Sequence, residues 1–141
     1  MTRNRRILCG VYALIAVVAL IATWSQNIAY LHHPSGFLGG FLQDLTVNAA
    51  ARSITVDIVL FFLAAAIFMV FEARKHDIPY VWAYIVGGML IAISVTFPLF
   101  MIARERKRES SGAPDLKAVD AIGLAALALL TAAGVIFTAR V

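Results

Sequence analysis

Four stretches of this chain run for about 20 residues each with hardly a charge inside them, at about 7–26, 54–71, 79–103 and 118–139. A helix rising 1.5 Å per residue needs roughly that length of apolar sequence to cross a hydrocarbon core about 30 Å thick. A helix in water keeps a polar outer face, and these four have none. Composition agrees: 62% of the 141 residues are hydrophobic and 14% charged, where a soluble domain is about half apolar and a quarter charged. The chain therefore reads as an all-α integral membrane protein with four transmembrane helices, forming a single membrane domain over 1–141.

The connections sharpen this picture. Arg3, Arg5 and Arg6 precede the first apolar run. A basic start before an apolar run also describes a signal peptide, but this run is longer than a signal core and no convincing cleavage site follows it. A retained first helix is expected. His32, His33, Pro34, Ser35 and Gly36 then make a turn. Phe37, Leu38, Phe41, Leu42 and Leu45 follow at helical spacing, with Gln43 and Asp44 on the other side. That pattern predicts a short interfacial helix over about 37–47, too short and too polar to span. Glu72, Arg74, Lys75, His76 and Asp77 form a brief charged turn, and Pro79 is placed to open the third helix. Tyr80, Trp82 and Tyr84 sit at its start, where rings with a polar handle favour the headgroup level. Helices two and three should thus form an antiparallel hairpin. A charged stretch at 104–109 and the breakers Ser110, Ser111, Gly112, Ala113 and Pro114 precede the last helix, for which Asp115 is the expected N-cap.

The net charge of +4 does not indicate nucleic-acid binding. The basic residues flank apolar runs as membrane anchors do, and no recognition motif accompanies them. One cysteine, Cys9, excludes an internal disulfide. Basic short loops tend to stay cytoplasmic. The N-terminal arginines and the Arg74–Lys75 turn agree on a cytoplasmic N-terminus. Four straight spans, however, put Arg104, Arg106, Lys107, Arg108 and Lys117 on the opposite side, against that rule.

The middle of the chain resembles a bacterial membrane-protein family, the domain of unknown function 2834, over residues 41–106. The resemblance rests on Asp57 early in the second helix; on Phe71, Glu72, Ala73, Arg74 and Lys75 at its end; on Trp82; and on Ser94, Pro98, Leu99, Phe100, Arg104, Glu105 and Arg106. Ala73 stands where the family pattern has glycine, and the fourth helix lies beyond the usual three-helix pattern. The resemblance implies a bacterial inner-membrane protein and no assigned activity.

Asp57 is the most informative single residue, because an ionisable side chain inside a span costs about 3 kcal/mol near the centre. In a straight hairpin it would share the depth of Ser94 and Thr96, making a candidate intramembrane polar site of Asp57, Ser94 and Thr96. The alternative is an acid that only caps or bonds neighbouring helices. Asp120 reads as an acid favoured by the dipole at a helix N-terminus. Pro98 removes a backbone hydrogen bond and should kink the third helix near Ser94. His32, His33 and His76 do not suggest a metal site, and no cofactor-binding motif or catalytic constellation occurs. The expected partners are membrane lipids and either further copies of the chain or other membrane-protein subunits. The small-residue faces carrying Gly87, Gly88, Gly123 and Gly134 favour a structural or accessory role without enzymatic activity. The alternative is a small oligomeric transporter or channel using Asp57.

Overall fold

The computed structural model describes residues 3–108 and 117–139, and among these it contains helix and turn but no strand. Helix α1 (Arg3–Asn27) tightens into a 3₁₀ turn over Ile28–His32. A short α2 (Gly36–Asp44) follows, then α3 (Ala49–Lys75), α4 (Val81–Gly87), a π-helical segment (Gly88–Ala92), α5 (Ile93–Lys107) and α6 (Ala118–Ala139). Four helical stretches among the described residues are long and apolar enough to cross a membrane: Arg3–His32, Ala49–Lys75, Val81–Lys107 and Ala118–Thr138. Contacts divide the chain into two units, Met1–Glu109 and Ser110–Val141. In the second unit α6 is apolar on every side, with exposed Ile122, Leu127, Leu130 and Phe137. The expected cap Asp115 lies outside the described residues.

The helices outrun their apolar windows because polar residues near the ends are tied into caps. α3 begins at Ala49 and not near residue 54, since Asn48 takes an extended conformation and its side-chain oxygen accepts from the Ala51 N–H at 2.8 Å. At its other end, Asp77 adopts a left-handed conformation (φ 49°) and the Ile78 N–H donates to the Ala73 carbonyl at 2.9 Å. This is a Schellman closure, sealed by contact between the buried side chains of Ala73 and Ile78. Pro79 does not open the next helix. It lies in the turn, Tyr80 (φ 58°) is the N-cap, and α4 starts at Val81.

The third apolar stretch has the length of a span, but it is not straight. Ala92 is extended (φ −179°, ψ 141°), and the helix reverses there. The rings of Tyr84 and Phe100 are 5.7 Å apart between centroids. Sixteen residues along one straight helix would hold them about 24 Å apart. The α4–π limb (7 and 5 residues) and α5 (15 residues) thus form a hairpin whose arms each reach only about 18–22 Å. Close approach near the tip depends on Gly88: a Cβ there would lie 2.9 Å from Thr96 Oγ1 and 3.0 Å from Phe62 Cε2. The limb α4 runs antiparallel to α3, and α5 returns parallel to it. Phe68 meets Phe97 at 6.0 Å, and Glu72 meets Arg104. Met69, Phe100, Ile85, Val81 and Ile93 fill the core between these helices. α1 lies along α5.

The proline does not make this reversal. α5 continues as helix through the buried Pro98, and the break falls six residues earlier, at Ala92.

Candidate functional site

The densest polar arrangement in the first unit sits where α1 begins, α3 ends and α5 ends. Glu105, in the last turn of α5, is 2% exposed. A bare carboxylate so buried would be costly, and three guanidinium groups offset that cost. Arg5 Nε approaches Glu105 Oε2 at 3.4 Å, Arg104 Nη1 donates to Oε1 at 3.1 Å, and Arg108 Nη1 lies 3.6 Å from Oε1. Arg104 uses its remaining edge on Glu72, to which its Nε donates, and its guanidinium lies 5.8 Å from the centre of the Phe68 ring. His76 Nε2 lies 3.4 Å from the same Glu72 oxygen. Arg5 also donates from Nη2 to the Arg108 carbonyl at 2.9 Å, which satisfies a backbone acceptor at the end of α5. Three remote segments are thereby fastened at one end.

Both carboxylates of this knot are engaged by cations. Around it Arg3, Arg6, Arg74, Lys75, Arg106 and Lys107 are exposed. Against these six cations stands the exposed acid Asp77, so the surface of this end is basic on balance.

An aromatic cluster occupies the other end of α1. Trp24, Tyr30, Phe37 and Phe41 meet at centroid distances of 5.5–6.4 Å, and Tyr30 Oη donates to Asp44 at 2.8 Å. The cluster folds α2 back over the 3₁₀ turn so closely that a Cβ on Gly40 would lie 2.5 Å from the His33 ring. His33 Nδ1 in turn lies 2.8 Å from Ser35 Oγ. Among the described residues no three His, Cys, Asp or Glu side chains gather in a way that could hold a metal ion.

The residues singled out from sequence occupy different surroundings. Asp57 is exposed on α3, and Ser94 is exposed near the start of α5. Thr96 is buried, with its hydroxyl against Gly88 and no hydrogen-bond partner among the described residues. Gly88 and Thr96 meet beside Phe62, and Asp57 lies five residues further along α3, about 7.5 Å along its axis. Asp120 Oδ2 accepts from the Lys117 N–H at 3.3 Å, so it caps the first turn of α6. In the sequence, Arg5, Glu72, Arg104 and Glu105 stand as charges beside apolar runs, with nothing that pairs them. The Arg-Glu-Arg run at 104–106, with acids placed among helix-end cations, was the available signal.

No curated protein and no solved structure matches the chain. A family model does match, over residues 11–106. It takes in most of α1, the α3 helix, the hairpin and the Glu72–Arg104–Glu105 part of the knot, and it stops before α6. Because the match covers more than half of the sequence, the chain belongs to the family described as Protein of unknown function DUF2834.

Proposed function

We infer that this chain is a structural or accessory subunit of a bacterial inner membrane, without chemistry of its own, that packs against further copies of itself or against another membrane protein. The observation that carries the reading is Asp57. It is exposed on α3, fifteen residues (about 22 Å) from Glu72 at the basic end, and so falls inside the apolar stretch. An acid at that depth facing lipid costs up to about 3 kcal/mol, and such residues generally face a protein neighbour or water. A neighbouring subunit that offers a polar group there removes the cost. The aromatic cluster supports an interfacial place for α2, since Trp24 and Tyr30 carry the polar handles that favour the headgroup level. The basic stretches at 3–6 and 74–75 support a cytoplasmic N-terminus.

Purification in a mild detergent, with mass measured by light scattering corrected for detergent, tests this. Two or more chains, or a co-purifying membrane protein lost on Asp57→Leu substitution, are expected. A single chain with no companion would refute the reading. Asp57 also motivates a second reading, a small oligomeric transporter or channel. That reading requires ion flux in proteoliposomes that falls on Asp57→Asn substitution.

A further inference from the structure

We propose that α4–α5 is a re-entrant hairpin, entering and leaving the bilayer on the side that holds the N-terminus, and that the basic face it completes sits on anionic phospholipid headgroups. Three observations carry this.

The first is reach. The arms of the hairpin are about 18 and 22 Å long, and the apolar part of the second is shorter, because 104–107 are three cations and an acid. Neither arm crosses a core of about 30 Å. The tip is nevertheless suited to hydrocarbon, with Met89 and Leu90 72% and 73% exposed.

The second is direct contact. Glu105 touches Arg5, and Arg104 touches Glu72. Residues 104–108, the start of α1 and the end of α3 therefore occupy one end of the unit. A bilayer cannot separate groups that share an ion pair.

The third is charge. Straight spans divide the basic stretches between two faces, with the largest on the wrong one. The hairpin removes that conflict, and the Arg3–Arg6, Arg74–Lys75 and Arg104–Arg108 stretches all fall on one side. Glu72 and Glu105 are held within the knot, so around it six exposed cations, Arg3, Arg6, Arg74, Lys75, Arg106 and Lys107, face the one exposed acid there among the described residues, Asp77. Clustered cations beside a membrane segment are the chemistry that attracts anionic headgroups, each contributing roughly a fivefold gain in affinity near such a surface.

The inference does not depend on assembly, because a lone chain would have the same topology. In a Cys9→Ser background, Arg6→Cys, Lys75→Cys and Lys107→Cys can be probed singly with a membrane-impermeant maleimide. Right-side-out and inside-out vesicles from the same cells supply the two accessible faces. All three positions should label in one vesicle type and be protected in the other. Labelling of Lys107→Cys from the face opposite to Lys75→Cys would overturn the re-entrant path. For the lipid, the protein is reconstituted with equal phosphatidylglycerol and phosphatidylcholine, re-extracted, and its retained lipids counted. Phosphatidylglycerol should be enriched, and the paired Arg106→Gln and Lys107→Gln substitutions, both on exposed side chains, should lower that enrichment by about tenfold or more. Equal retention of both lipids, or enrichment unchanged in the variant, would overturn the headgroup assignment.

Discussion

Substituting Gly88 by alanine separates a folded-back helix from a straight one by the sign of its effect. In an ordinary helix interior, glycine to alanine stabilises by roughly 0.5–1 kcal/mol, because the glycine backbone loses more freedom on folding. Here the new Cβ would lie 2.9 Å from Thr96 Oγ1, 3.0 Å from Phe62 Cε2 and 3.2 Å from Ile93 Cδ1, all inside ordinary contact distance. Overpacking of that kind costs about 1–3 kcal/mol. The net expectation is a loss of up to about 2 kcal/mol. The closest atom belongs to Thr96, so Thr96→Ala should restore part of what Gly88→Ala removes. A double-mutant cycle should give a coupling of at least about 0.5 kcal/mol. Thr96→Ala also deletes a buried hydroxyl that has no partner among the described residues, which further limits its own cost. Unfolding in detergent, followed by helical circular dichroism and by the fluorescence of Trp24 and Trp82, measures all four corners. Along a straight helix, residues 88 and 96 would be about 12 Å apart and their effects would add. A stabilising Gly88→Ala that is additive with Thr96→Ala would refute the reversal at Ala92.

Two other perturbations follow from the caps and the charge knot. Glu105→Ala leaves three guanidinium groups facing an empty position and should cost about 3–5 kcal/mol in the same unfolding assay. Arg106→Ala, one residue away and exposed, should stay within about 0.5 kcal/mol, and equal losses would show that the knot contributes nothing particular. Asn48→Ala removes the acceptor for the Ala51 N–H and should cost about 1 kcal/mol. Hydrogen exchange should accelerate at the first turn of α3, while Asn48→Asp keeps the cap and should leave exchange unchanged.

Helix content and the apolar stretches are legible in the residues, because length and hydropathy over 18 or more positions are properties of the sequence itself. Helix ends were less so. Asn48 and Asp77 act through single hydrogen bonds and one left-handed residue, which an apolar window does not detect. The reversal at Ala92 left no mark in composition: Met89, Leu90, Ile91, Ala92 and Ile93 read as uninterrupted helix. Pro98 lies within α5 and does not mark the reversal, which falls six residues earlier. The clue was the charge asymmetry. Basic residues at 3–6, 74–75 and 104–108 can share a face only if the intervening 81–107 segment returns to where it began. The depth match of Asp57 with Ser94 and Thr96 rests on a straight third helix, whereas Thr96 packs against Gly88 beside Phe62, one to two turns along α3 from Asp57.

The bond between Arg5 and the Arg108 carbonyl joins residues 103 positions apart, and α5 is the helix along which α1 lies. The ribosome therefore makes α1 first and its fastening only after α2, α3 and α4. At a synthesis rate of about 5–20 residues per second, Arg5 waits roughly 5–20 s for Glu105 to exist. Throughout that interval Arg5 lacks its acid, and for most of it α1 lacks α5. A nascent chain stalled anywhere before 105 would carry a first helix whose buried arginine has no acid to pair with.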